Sequence, residues 1–478
     1  MTKAKSIILL LVASVSMSAC AKSKTPEPPQ SPRLKYIFYF IGDGMGMGPV
    51  MSALNYKSMV HPEQQPLVMT GFPVVSFCRT YSASSPVTDS AAAGTALSTG
   101  SKTKNSMLGM DADTVSVTSV ARYLKDEGWG VGVLTTVAPD DATPGAFYAH
   151  VPARSQFYDI DIQAVNSGYD FLAGASWRGA TDKDGKPNDV MDLFAQNGYK
   201  VVYGPDGIKD IKGAEKVVLL GDPNTNLNNN NVSYTIDSVP GAITLPEMTQ
   251  TALDHLLRVS PDRFFMMVEG GNIDHALHAN DGGGATKEVI NFDESIALAY
   301  NFYLQHPDET LIVITADHDT GGLTVGNSAL KYMAKVEYID YQKISKDKFN
   351  DYCRDLMTSS TSKPSWETME AFLSENLGFW KTVPLTDDQT ALLKKDFEAM
   401  VNKIGTEEQS LYSTYSGFAA SVFKVFSDVS GFGFTTTSHT GNPVPVFAVG
   451  VGADNFKSLN NNIEIPVTIY KLATGKNM

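Results

Sequence analysis

The chain has 478 residues, 42% hydrophobic and 19% charged, an ordinary globular balance rather than that of a disordered or membrane-spanning protein. A formal net charge of −14 argues against nucleic acid as a partner, because binding a polyphosphate backbone rests on clustered Lys and Arg. A small anionic substrate held by a local site is compatible with it.

In chain order, Lys3 and Lys5 precede an apolar run at 6–15 that is too short to span a bilayer but suits the core of a signal peptide. The run ends in Met17-Ser18-Ala19-Cys20 and is followed by the Pro-rich AKSKTPEPPQSP. This resembles a bacterial lipoprotein signal: residues 1–19 are expected to be removed, Cys20 to carry a lipid anchor to a membrane, and residues 20–34 to act as a tether. The expected location is the periplasm or the outer membrane. The plainer alternative is a cleaved signal beside an incidental cysteine. The other two cysteines, Cys78 and Cys353, have nothing local that marks them as partners and read as buried free thiols.

From Tyr36 onward short apolar runs alternate with helical patterns. YIFYFIG, GVGVLTTV, KVVLLG, RFFMMVEGG, TLIVITAD and PVFAVGVG suit strands buried on both faces of a mainly parallel sheet. SVTSVARYLKDEG and LPEMTQTALDHLLRVS read as helices between them. The alternation predicts a three-layer α/β/α sandwich around a large, mainly parallel sheet. Residues 330–434 break the rhythm with helical patterns, including the capping-box signature Thr386-Asp387-Asp388-Gln389, and read as an inserted helical cap. The run NTNLNNNNVS reads as a solvated loop.

In open parallel sheets functional residues gather at the carboxyl ends of strands. Asp43 follows the first strand within GDGMG, although an isolated Asp-Gly is by itself a turn signal. Glu269 ends another strand, and Asp274 and His278 follow at i, i+4, one face of a helical turn. Asp317, His318 and Asp319 leave a third strand together, and His439 precedes the last one. Mixed carboxylate and imidazole donors suit zinc, and all-oxygen sets suit magnesium. Asp141 and Thr143 add oxygen donors, and Arg154 has the geometry to grip a phosphate.

Together GDGMG, TDSAAAGTA, DATP, HVPAR, EGGNIDHALH, ADHDTGG and SHTG, in that order, resemble the alkaline phosphatase family. The resemblance covers most of residues 36–452 and implies a catalytic domain at 35–478 that hydrolyses phosphate monoesters, two zinc ions, one magnesium ion and a homodimer. It implies that Asp274, His278 and His439 hold the first zinc, and Asp43, Asp317 and His318 the second, with Ser90 at its open position. Thr143 and Glu269 join Asp43 at magnesium. Asp141 sits behind that site, Arg154 clamps phosphate oxygens, and Ser90 is the nucleophile that forms a phosphoserine. Asp89 reads as a carboxylate orienting Arg154. His275 stands where some bacterial members have Lys and animal-type members have His, a change that bears on phosphate affinity and metal preference. A phosphodiesterase or sulfatase of the same superfamily is the alternative.

Overall fold

The computed structural model describes residues 34–179, 181, 184–187, 189–228, 230–359 and 363–478; the expected leader, Cys20 and the tether up to residue 33 lie outside the described residues. Nine strands form one sheet: β1 (Tyr36–Ile41), β2 (Val74–Cys78), β3 (Gly130–Thr135), β4 (Phe171–Gly174), β5 (Tyr199–Tyr203), β6 (Lys216–Leu220), β7 (Phe264–Glu269), β8 (Thr310–Thr315) and β9 (Val444–Gly450). Their spatial order is β2-β9-β8-β1-β7-β3-β4-β6-β5. Only β9 runs against its neighbours, β8 and β2. The central strands β1, β3, β7 and β8 are buried at every position. Unbroken apolar runs are therefore required there, because helices cover both faces. The expected mainly parallel α/β architecture is observed.

All six apolar runs are strands, and three strands were not anticipated. β2 and β5 lie at the sheet edges and alternate or mix buried and exposed positions, while β4 is only four residues long. Each falls short of the continuous apolar signal that marks a doubly covered strand.

Residues 336–430 carry helices Lys346–Ser359, Trp366–Leu377, Asp387–Val401 and Gly417–Ser430 and a two-stranded ribbon, Glu407–Gln409 with Thr414–Ser416. They pack around their own apolar cluster, in which Phe349, Leu373, Phe397 and Phe418 are buried. The Thr386 and Gln389 side chains form the reciprocal cap expected from the sequence. Cys78 lies in the main core and Cys353 in this second cluster, and both are free, buried thiols; burial pushes Cys78 up to about 12.

The long helix Gly282–Gln305 carries a buried acid, Glu288, whose Oε1 accepts from the Thr235 backbone N–H at 2.7 Å. Burial pushes its carboxyl up to about 7. A raised folded-state value means that the folded chain holds this proton more tightly than the unfolded chain. The resulting stability is complete below the unfolded value of about 4.5 and is lost as pH rises through about 7. Glu288→Gln keeps an acceptor oxygen and removes the ionisation. It is expected to stabilise the protein at pH 8 relative to pH 5 by on the order of 1–3 kcal/mol against wild type. Thermal melts at the two pH values check this; parallel wild-type and variant profiles would rule it out.

Candidate active site

The sheet delivers the polar residues to one edge. β1 ends two residues before Asp43, β7 ends at Glu269, and β8 ends two residues before Asp317. His439 arrives from the opposite direction: it precedes β9, whose reversed course places its beginning where its neighbours end. A short antiparallel pairing of His439–Thr440 with Asp319–Thr320 holds it there. Gly44, at φ +67°, lets the first loop enter this crowd, since a Cβ there would lie 2.7 Å from Asp274 Oδ1.

The helix Gly271–His278 places Asp274 and His278 on one face, as their spacing predicts. His278 Nδ1 faces the Thr437 carbonyl at 2.6 Å, and His439 Nδ1 faces the Thr88 carbonyl at 2.9 Å. A carbonyl only accepts, so both Nδ1 atoms carry the proton and both Nε2 atoms present lone pairs. Those two Nε2 atoms lie 3.0 Å apart, with Asp274 Oδ2 3.4 Å from that of His278. Burial, followed by the charge of His318, pushes His439 down to about 3, which keeps its ring neutral. Three electron-rich atoms converging in this way fit a divalent cation with nitrogen and oxygen ligands.

A second set surrounds His318. Its Nδ1 lies 3.1 Å from Thr320 Oγ1, whose own proton goes to Asp274 Oδ1 at 2.5 Å. The free Nε2 of His318 therefore faces Asp317 Oδ2 at 3.0 Å, Asp43 Oδ1 at 3.4 Å and Ser90 Oγ at 3.1 Å. Asp43 Oδ1, Asp317 Oδ2, Thr143 Oγ1 and Glu269 Oε1 are all buried with no hydrogen-bond partner among the described residues. Buried oxygens are ordinarily satisfied, so such a concentration fits cation ligands. Desolvation, then the neighbouring carboxylates, raise Asp43 well above the usual carboxylate range, and burial pushes Glu269 up to about 8. Asp43, Thr143 and Glu269 form an all-oxygen set suited to magnesium. Asp319, by contrast, accepts from Thr440 Oγ1 at 2.6 Å and Asn442 Nδ2 at 3.2 Å and so fastens the His439 segment.

Ser90 begins a wholly buried helix, Ser90–Thr99. Its small residues have a packing reason: a Cβ on Gly94 would already lie 3.0 Å from the Thr143 Cα. Larger side chains would lift Ser90 and Thr143 apart. Asp89 caps this helix by accepting from Ala92 N at 2.9 Å, and also accepts from Ser106 N at 2.9 Å. Its carboxylate is 3.7 Å from Arg154, whereas Asp141 Oδ1 accepts from Arg154 at 2.8 Å. Asp141 is thus the nearer partner of Arg154, and the hydrogen bonds of Asp89 go to backbone. Burial opposes ionisation of Asp141, but Arg178 and Arg154 together hold it below the usual carboxylate range.

Three residues near the site escape the sequence reading. Arg178 donates from Nε to Asp140 Oδ1 at 3.0 Å and sits 3.3 Å from Asp141 Oδ2. It lies four residues past β4, so the strand-exit rule would have flagged it had that strand been recognised. Tyr412, from the turn of the inserted ribbon, donates to Asp274 Oδ2 at 3.2 Å and stacks on His275 with ring centroids 3.6 Å apart. Asn231 is buried against His275 and Asn272. The expectation of a solvated Asn-rich loop therefore fails at this residue, because a backbone bridge between Asn231 and Val137 draws the loop onto the β3 exit. No sequence signal marks Tyr412 or Asn231.

The family model described as alkaline phosphatase matches residues 34–174 and 170–474. Alkaline phosphatase 4 of Bacillus subtilis is 30% identical over 457 residues, covering 93% of this chain and 90% of that protein. Alkaline phosphatase 3 of the same organism is 27% identical over 486 residues, covering 98% of this chain and 96% of its own length. Among solved structures, a cold-active alkaline phosphatase from a psychrophilic Shewanella superposes with a TM-score of 0.76 at 27% identity, covering 91% of this chain and 99% of that one. The Thermus thermophilus alkaline phosphatase gives 0.76 at 26% identity, with coverages of 93% and 92%. With matches that run through the sheet and through every segment of the polar edge, the chain belongs to the alkaline phosphatase family.

Proposed function

We propose that this enzyme, a phosphomonoesterase of the alkaline phosphatase superfamily, hydrolyses phosphate monoesters through a covalent phosphoserine on Ser90, with two zinc ions and one magnesium ion. The observation that carries the reading is Ser90 Oγ at the head of a buried helix, 3.1 Å from His318 Nε2. Asp274, His278 and His439 would hold one zinc, Asp43, Asp317 and His318 the other, and Asp43, Thr143 and Glu269 the magnesium. When bound, these ions lower the pKa of a coordinated hydroxyl and offset charge on the attacking and leaving oxygens.

The protein residues supply position. Free backbone N–H groups and the dipole at the start of Ser90–Thr99 favour the phosphoryl oxygens beside the nucleophile. Arg154 is held from one side by Asp141 and keeps further N–H donors for two phosphoryl oxygens. Ser90 Oγ gives up its proton to solvent and forms the bond to phosphorus as the bond to the ester oxygen breaks, and that oxygen takes a proton from solvent and leaves as the alcohol. Water then attacks phosphorus, the Ser90 oxygen leaves, and inorganic phosphate is released. By the same reading the chain is exported, is tethered to a membrane through Cys20 and works as a homodimer.

Parallel assays on an aryl phosphate, a bis-aryl phosphate and an aryl sulfate test the substrate class. The monoester should be preferred by orders of magnitude in kcat/KM; comparable or faster turnover of the diester or the sulfate would move the enzyme to another branch of the superfamily.

A further inference from the structure

His275 is more than nine-tenths buried, and a chain of hydrogen bonds dictates which of its nitrogens carries the proton. The chain starts at the Val232 carbonyl, which can only accept, so Asn272 Nδ2 donates to it at 3.1 Å. Asn272 Oδ1 is then an acceptor, and Asn231 Nδ2 donates to it at 2.7 Å. The same Asn231 nitrogen lies 2.9 Å from His275 Nδ1, and its second proton points there. Nδ1 is therefore an acceptor, and the proton of the neutral ring sits on Nε2. This is the reverse of His278 and His439, whose Nδ1 atoms face carbonyls.

The ring is also fixed in its plane. Tyr412 stacks on it at an interplanar angle of 12° and is itself tied to Asp274. The ribbon that carries Tyr412 is pinned by Asp347, which accepts from Ser413 Oγ at 3.0 Å and Tyr415 Oη at 2.8 Å. On the other side, Asn231 is anchored by Val232 N, which donates to the Thr136 carbonyl at 2.9 Å. His275 Nε2 makes no hydrogen bond among the described residues.

We propose that Asn231 is a positioning residue for phosphoryl transfer: it locks His275 as the Nε2–H tautomer, so that the imidazole presents one fixed, uncharged donor to phosphate oxygens, with Tyr412 holding the plane of the ring. The inference rests on the reading of this edge as a phosphate site. A donor that cannot rotate or switch to an acceptor favours an anionic ligand without adding a charge that would hold the product.

The test uses the metal-loaded enzyme labelled with 15N-histidine, with His275→Ala assigning the signal. Long-range 1H–15N spectra at pH 9 should show His275 as the Nε2–H tautomer. In Asn231→Asp a carboxylate, which only accepts, takes the place of the donor, so the proton should move to Nδ1 and leave a lone pair facing phosphate. Competitive inhibition by inorganic phosphate should then weaken about tenfold, and on a His275→Ala background the same substitution should add no further loss. A wild-type spectrum showing Nδ1–H or a doubly protonated ring at His275 overturns the proposal whatever the enzyme's activity. A tautomer that switches while phosphate inhibition stays the same also overturns it, because His275 then does not face phosphate; trapping of phosphate on Ser90 reports separately on the catalytic reading.

Discussion

Ser90→Ala is expected to reduce kcat for phosphate monoesters by at least about a thousandfold and to abolish phosphate bound covalently to the protein. The reason is local: on this reading Ser90 Oγ forms the bond to phosphorus, and alanine leaves the backbone donors and Arg154 where they are. Some residual turnover is expected, because a water molecule can attack a phosphoryl group still held by those donors. The fold should tolerate the change, since the only hydrogen bond of Ser90 Oγ among the described residues is with His318. Metal content should also change little, as Ser90 would add one donor beside those of Asp43, Asp317 and His318. Acid-quenched reactions with 32P-labelled substrate, steady-state assays and metal analysis read the three parts separately. Turnover near wild type, or labelled protein in the variant, would refute the nucleophile.

The second large effect is expected from metal removal. Stripping the ions with a chelator should eliminate activity, and zinc together with magnesium should restore more than either alone. Stability should change as well. Asp43, Glu269, Asp274 and Asp317 are all buried at one edge, and the raised values of Asp43 and Glu269 measure how poorly their negative charge is tolerated there. Without cations these two acids should keep protons. Their raised folded-state values mean that the apoprotein loses stability as pH rises from the unfolded range of about 4 through about 8, the value of Glu269. Bound cations compete with those protons and keep the carboxylates ionised, so the holoprotein should show a flatter profile. Binding to the folded state alone adds about 2.7 kcal/mol per site at a hundredfold excess over Kd. A melting temperature at pH 8 more than about 10 °C higher with metal than without is therefore expected. Apo and holo melting curves that coincide between pH 5 and 9 would contradict this.

The parts of the site that were legible from sequence share a physical property. Asp43, Glu269, Asp317 and His318 lie within three residues of the ends of buried strands, and Asp274 and His278 share one helical turn. Their convergence follows from local periodicity combined with the rule that parallel strands end at one edge. Ser90 was singled out through the family resemblance, and it was the structure that made Asp89 the cap of the close-packed helix that begins there. Arg178 was lost with the four-residue strand before it, too short to stand out as an apolar run.

What the sequence determined by itself was the class of fold and the donor types at the strand ends, because each is written in residues adjacent along the chain, whereas the role given to Ser90 came from the family resemblance. The tertiary structure alone decided that His439 shares an edge with Asp43, through the reversed course of β9, and that Asp141, more closely than Asp89, steadies Arg154. It alone brought Asn231 and Tyr412 onto His275 from 44 residues upstream and from a ribbon in the inserted region. Such contacts depend on loop closure and packing between distant segments, and no local propensity or spacing encodes which of several asparagines or tyrosines ends up buried.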